Sequence, residues 1–296
     1  MNSPPSKADF AEDLSLEKSR IVKFIQTQVG AYGFQGAVVG ISGGIDSAVV
    51  AALLVEALGR EKVLGLLLPE RDSAASTIPD SLLVCRSLGI SYKKRDISPL
   101  IRKTGVYRSK PPALLFSRKI KEAYAQSQWL REQDPYLADL KNEGDTISKV
   151  NQAYYRAKHR MRLVMLYYEA EKRGYAVVGT TNKTEHIAGF YVKWGDDSSD
   201  IEPILHLYKA KVFALASVLD IPEKIIEKKP SPDLAPGITD EFAMGLSYAD
   251  LDRILEKLET GMPLDAEDPF IVSKVKKITN VPSIRTLRNA SLLQNP

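Results

Sequence analysis

The chain has 296 residues, 44% of them hydrophobic and 26% charged, with 41 basic against 37 acidic side chains and a net charge of +4. This composition excludes a disordered, fibrous or low-complexity chain, and so mild a basic excess favours anionic small molecules over nucleic acid as partners. The single cysteine, Cys85, excludes an internal disulfide and a cysteine-rich zinc site and fits a reducing, cytoplasmic setting. The polar N-terminus lacks an apolar core segment, and no apolar run approaches the ~18 residues of a bilayer span, so neither secretion nor a membrane location is expected.

Residues 1–13 read as a mobile leader to one domain spanning 14–296, and Leu14 to Val29 as an amphipathic helix with Leu14, Ile21, Ile25 and Val29 on one face. A regular alternation follows: GAVVGIS as a buried strand, a helix from about Asp46 to Leu58, KVLGLLLP as a strand, a helix from about Ala75 to Leu88, and ISYKKRDIS as a strand. A helix over about 147–173 and the strand YAVVGTT form a fourth unit. Strands alternating with helices predict an α/β fold with a doubly wound, mainly parallel sheet. Residues 99–145 break the pattern as an insertion with one predicted helix, in FSRKIKEAYAQSQWLREQ. Further on, LYKAKVFALASVLD, LSYADLDRILEKLE and DPFIVSKVKKIT read as C-terminal helices, and KKPSPDLAPGITDE as a proline-punctuated loop.

The stretch GISGGIDS, residues 40–47, joins the first strand to the first helix of that alternation. Its spacing matches the G-x-S-x-G elbow of serine hydrolases, but none of His159, His186 and His206 stands out as a triad partner for Ser42. A Walker A loop is excluded because no lysine follows Gly44. What remains is a Gly/Ser turn at a helix N-terminus, where unpaired amides and the helix dipole favour phosphate. Gly43 and Gly44 let backbone approach an anion, and Ser42 and Ser47 add hydroxyl donors. A carboxylate there, Asp46, either caps the helix or holds a cation between itself and the phosphates, for which Mg²⁺ is suited.

S-G-G-I-D-S after a first buried strand resembles the pyrophosphate loop of the N-type ATP pyrophosphatases. Within them the chain is most similar to the ammonia-dependent NAD synthetase family, through RMRLVMLYYEAEKRGYAVVGTTNKTE, GFYVKWGDDSSDIEPI, LYKAKVFALASVLDIPEKIIEKKPSPDL and TDE. The resemblance implies ATP as co-substrate, Mg²⁺ as cofactor, a homodimer, and a two-step reaction. The carboxylate of deamido-NAD attacks the α-phosphorus of ATP, giving an acyl-adenylate and pyrophosphate, and ammonia then displaces AMP.

By the same resemblance, Gly40, Ile41, Ser42, Gly43, Gly44, Ile45, Asp46 and Ser47 hold the ATP phosphates together with Thr180, Lys209 and Ser231. Asp46 and Glu185 hold the metal, Asp46 and Lys209 act in catalysis, and Lys158, Lys193 and Asp200 contact deamido-NAD. Two departures fall on the acyl substrate. The family pattern N-x-K-A-R-x-R-M reads YYRAKHRM here, with Tyr154 at the asparagine and Lys158 at the arginine position, and the C-terminal SKVKKITNVP lacks the family's histidine. An AMP-forming amide ligase acting on a different carboxylate is therefore the alternative expectation. The basic positions beside the apolar stripe of that helix, Arg156, Lys158, Arg160 and Arg162, read as a solvated face.

Overall fold

The computed structural model describes residues 7–109, 118–130, 132–231 and 237–281. Four parallel strands, β1 (Ala37–Gly40), β2 (Val63–Leu67), β3 (Ser91–Lys94) and β4 (Ala176–Val178), form a sheet of order β3-β2-β1-β4. The chain runs outward from β1 to β3 and returns to place β4 on the other side of β1. Strand order therefore reverses between β1 and β4, and in open parallel sheets ligands bind at the strand tips of such a reversal.

Among the described residues thirteen α-helices surround the sheet: α1 (Lys7–Ala31), α2 (Ile45–Leu58), α3 (Thr77–Ser87), α4 (Ser98–Lys103), α5 (Arg118–Trp129), α6 (Pro135–Lys141), α7 (Thr146–Glu171), α8 (Lys183–Ala188), α9 (Lys209–Val218), α10 (Glu223–Ile226), α11 (Asp240–Met244), α12 (Tyr248–Thr260) and α13 (Pro269–Thr279). Successive strand side chains point to opposite faces. Ala37, Val39, Val63, Ala176 and Val178 accordingly pack under α1, α2 and α9, while Val38, Leu64, Leu66 and Val177 pack against α4 and α7. A third apolar cluster joins α6, α8, α12 and α13 through Tyr136, Leu140, Ala188, Leu251, Ile254 and Val275.

The alternation of strands and helices is as the sequence predicts, while the short helices α8, α10 and α11 were not expected and two further differences concern the leader and the insertion. Residues 7–13, expected in the mobile leader, belong to α1, because KADFAED contains no helix breaker and adjoins a helix already anchored by Leu14, Ile21, Ile25 and Val29. Among its described residues the insertion carries three α-helices, α4, α5 and α6, where one helix was expected. The two extra ones are six and seven residues long, start next to Pro99 and Pro135, and are too short to show periodicity. No helix among the described residues is long and apolar enough to cross a membrane.

Candidate active site

The turn after β1 runs straight into α2. Gly44 is the N-cap and no side chain caps the helix, which leaves first-turn amides open to an anion. Gly43 adopts φ +74°, and a Cβ there would lie 2.7 Å from the Asp80 Cβ and 2.9 Å from the Ser81 amide, so this close approach requires glycine. Ser81 Oγ donates to the Ile41 carbonyl at 2.8 Å, fastening the turn to α3. Ser47 Oγ donates to the Gly44 carbonyl at 3.0 Å, and the Ser42 and Ser47 hydroxyls lie 3.2 Å apart, so the two serines brace the turn internally.

Asp46 is in the first turn of α2 and does not cap it. Its Oδ1 accepts from Asn182 Nδ2 at 3.0 Å, and its Oδ2 lies 2.6 Å from Lys209 Nζ. The same ammonium lies 3.1 Å from Glu185 Oε1. One cation thus contacts carboxylates that are 139 residues apart in number, carried by the start of α2 and by α8. Tyr248 closes the far side, its hydroxyl donating to Asp240 Oδ2 at 2.8 Å, with the ring 4.8 Å from Lys209 Nζ.

Each of these side chains is held from behind. Asn182 forms a capping box with Glu185 at the start of α8, a reciprocal bond pair that fixes backbone and carboxylate together. Lys209 is the first residue of α9; its amide donates to Thr184 Oγ1 at 2.9 Å and the next amide, Ala210, donates to Asp252 Oδ2 at 2.8 Å. Burial alone would push the Lys209 ammonium down, but the Asp46, Glu185 and Asp240 carboxylates outweigh it and hold the group above its ordinary value. Burial holds the Glu185 carboxyl well above the usual carboxylate range, and burial likewise pushes Asp240 up to about 6.

Two carboxylates sharing one cation position is a donor set that fits a divalent metal completing its shell with phosphate oxygens and water. Among the described residues no group of three or more His, Cys, Asp or Glu side chains is arranged to hold a metal by itself.

The remaining expected residues occupy separate settings. Thr180 is half-buried at the tip of β4, and Ser231 Oγ donates to the Ile238 carbonyl at 2.9 Å across a loop whose residues 232–236 lie outside the described set. Lys158 is fully buried, 2.6 Å from Glu70 Oε1 and 3.2 Å from Asp72 Oδ2. The expectation of a solvated basic face thus fails at Lys158. It also fails at Arg156, which pairs with Asp139 at 2.9 Å, because the insertion and the loop after β2 bring carboxylates onto α7. Tyr154 also bonds Asp72, and Arg71 donates to Tyr154 at 2.8 Å. Asp200 accepts from the Val177 amide at 2.7 Å and from Tyr167 at 3.1 Å. Lys193 places its ammonium 5.2 Å from the Trp194 ring.

Sequence reasoning missed Tyr248, Asp240, Thr184 and Asp252 around the Lys209 ammonium and its helix start, and also Asn182, Asp80 and Lys228. Asn182 could have been found from the N-x-x-E spacing of a capping box. Asp80 and Lys228 could not, since they meet only in the fold: Lys228 Nζ lies 2.8 Å from Asp80 Oδ2 and 3.1 Å from the Gly43 carbonyl, bringing a cation to the turn.

The NAD synthase family model matches residues 17–127 and 113–285. The chain is 53% identical over 262 residues to the NH3-dependent NAD+ synthetase of Thermotoga maritima, covering 88% of this chain and 93% of that protein. Among solved structures it is similar to an NMN synthetase from Francisella tularensis, with a TM-score of 0.72 and 26% identity over 94% of this chain and 98% of that one. An NH3-dependent NAD synthetase from Campylobacter jejuni matches over the same shares with a TM-score of 0.68 and 26% identity. With its parallel sheet, its uncapped glycine turn and relatives this similar over nearly their whole length, the chain belongs to the NAD synthase family.

Proposed function

We propose that the protein is an ammonia-dependent NAD synthetase that adenylates the carboxylate of deamido-NAD with ATP and transfers the acyl group to ammonia. The observation that carries this reading is the meeting of Asp46, Glu185 and Lys209 beside the open amides of the 40–47 turn. Relatives named for this activity, 53% identical in the case above, support it.

In this reading the backbone of residues 40–47 and the start of α2 bind the ATP phosphates, with Thr180 and Ser231 contributing further contacts. Asp46 and Glu185 hold Mg²⁺, which when bound neutralises charge on the phosphate oxygens. Lys209 is placed by its cap at Thr184 and Asp252 to offset negative charge as pyrophosphate leaves, an electrostatic contribution that a buried setting strengthens. Asn182 keeps both carboxylates oriented, and Tyr248 and Asp240 shield the cluster from water. Lys158, Lys193 and Asp200 are assigned to the acyl substrate, and the active form is assigned as a homodimer in the cytoplasm.

A second acyl substrate, the carboxylate precursor of NMN, is favoured by two observations. The chain matches an NMN synthetase structure at a TM-score of 0.72, and Lys158, at a position expected to contact the dinucleotide, is enclosed by Glu70 and Asp72. The test is release of pyrophosphate and AMP with ATP, Mg²⁺, ammonium and a panel of pyridine carboxylates. Turnover fastest with deamido-NAD supports the first reading, turnover fastest with the mononucleotide supports the second, and no nucleotide turnover with either rejects both.

A further inference from the structure

Glu202 stands outside the Asp46, Glu185 and Lys209 network and has no part in the handling of ATP described above. It follows the isolated parallel bridge between Val178 and Ile201, so it lies at the tip of β4. A Cβ at Gly179 would overlap the Glu202 carboxyl, and only a glycine there lets the carboxyl lie across the strand end. Ser199 Oγ donates to Glu202 Oε1 at 2.6 Å. The other oxygen, Oε2, is buried and makes no hydrogen bond of good geometry among the described residues, the Thr181 amide being a further donor that acts on the carboxyl. A buried carboxylate oxygen so incompletely satisfied is costly, and it leaves room for a donor brought by a ligand.

Its location matters as much as its incompletely satisfied oxygen. Val178 pairs with Val39, and the next residues along the two strands are Gly179 and Gly40. The Glu202 carboxyl therefore lies over the strand tip neighbouring the first residue of the phosphate turn, about 4.8 Å being the distance between adjacent strands. This is the crevice where strand order reverses.

The groups acting on it are Ser199, the Thr181 amide, Asp196, Asp197 and Tyr167. Burial is the main influence and pushes the Glu202 carboxyl up to about 7; Ser199 and Thr181 draw it down, while Asp196 and Asp197 push it further up. A buried acceptor in negative surroundings selects a small cationic donor, and at this potential it binds a proton readily near neutral pH.

We propose that Glu202 is the residue that receives ammonium at the tip of β4 and removes its proton, supplying ammonia to the acyl-adenylate. The assignment rests on the reading of the chain as an ammonia-dependent amide-forming ligase. Ammonium has no lone pair and, like alkylammonium groups, is almost wholly protonated at neutral pH. One N–H bond breaks as its proton passes to Glu202. The freed lone pair then attacks the acyl carbon, the C–N bond forms, and the C–O bond to AMP breaks, with the electron pair leaving on the AMP phosphate. A second proton passes from nitrogen to water, and Glu202 returns its own proton to solvent.

The experiment compares ammonium with hydroxylamine, a weaker base that is largely neutral at pH 7 and needs no proton acceptor before attack. For Glu202→Gln, kcat/KM for ammonium is expected to fall about 100-fold at pH 7. The loss is confined to ammonium: hydroxamate formation and ATP–pyrophosphate exchange proceed as in the unsubstituted enzyme. The ammonium defect shrinks as pH rises, because free ammonia increases about tenfold per pH unit. Gly179→Ala, which displaces the carboxyl without removing it, gives the same selective loss, and Glu202→Asp recovers part of the rate. Equal ammonium kinetics in Glu202→Gln and the unsubstituted enzyme, or a parallel loss with ammonium and hydroxylamine, overturns the assignment. Absence of exchange and of hydroxamate in the unsubstituted enzyme instead overturns the ligase reading, and the assignment with it.

Discussion

Lys209 is buried with its ammonium between two carboxylates, so its removal has separable consequences for stability and for turnover. Lys209→Met leaves Asp46 and Glu185 facing each other without a cation, and breaking a buried pair in this way costs about 3–5 kcal/mol. Urea unfolding without metal is expected to show that loss, and saturating Mg²⁺ to restore part of it. Turnover of ATP is expected to fall on the order of 100-fold or more even with metal present, from loss of charge stabilisation; near-normal turnover would remove Lys209 from the chemistry. Asp46→Asn is expected to abolish Mg²⁺-dependent turnover, measured by pyrophosphate release, while the Asn182 contact continues to hold the fold. Glu202 provides a pH signature. Its carboxyl is raised by burial from the ordinary 4.5 to about 7, so the folded state binds more protons between these values and stability falls as pH rises through that window. Thermal midpoints measured from pH 4.5 to 7 are expected to decline less in Glu202→Gln; an unchanged slope would mean that the carboxyl titrates normally.

At the scale of elements, the site is a matter of which helix starts meet. The start of α2 brings Asp46, that of α8 brings Asn182 and Glu185, and that of α9 brings Lys209. Two starts carry a local signature, the Gly/Ser turn and the N-x-x-E capping box, whereas that of α9 follows the apolar ILHLY and has no side-chain cap. Gly43→Ala tests the first of these. It places a Cβ against Asp80 and Ser81 at a φ of +74°, which costs about 1–3 kcal/mol. Affinity for ATP is expected to fall at least tenfold in equilibrium binding, since the turn has to move away from α3 to accommodate it. The amphipathic stripe of α7 was legible in outline only. Tyr154 is buried as its period predicts, and of the alternatives Val164 and Met165 it is Met165 that is buried, whereas Tyr168 is 47% exposed. A 3.6-residue period leaves an uncertainty of one position at each turn, and the basic positions beside the stripe depend on partners from the insertion, such as Asp139 for Arg156.

For the whole molecule, the sheet order explains why two separated glycine-bearing segments share one crevice: β1 and β4 are neighbours although the insertion and α7 lie between them in the chain. The exposed Val150, Val164 and Tyr168 along α7 leave apolar surface for the proposed homodimer. Sedimentation at micromolar concentration is expected to give twice the 32.8 kDa chain mass, and a single-chain mass would reject the dimer assignment.

The sequence by itself determined the α/β alternation, the Gly/Ser strand-to-helix turn at residues 40–47, and the residue types of the Asp46, Glu185 and Lys209 group. These are local properties: hydrophobic period, glycine at a strand-to-helix turn, and ordered motifs carrying a family resemblance. Only the tertiary structure decided that one ammonium bridges Asp46 and Glu185, that Lys158 is enclosed by Glu70 and Asp72, and that Lys228 reaches Gly43. It alone set the Glu202 carboxyl over Gly179 with one oxygen lacking a hydrogen bond of good geometry. The physical reason is that burial and charge pairing depend on which surfaces the fold brings together. A lysine or glutamate reads the same in sequence whether it ends in solvent or between carboxylates in a dry crevice.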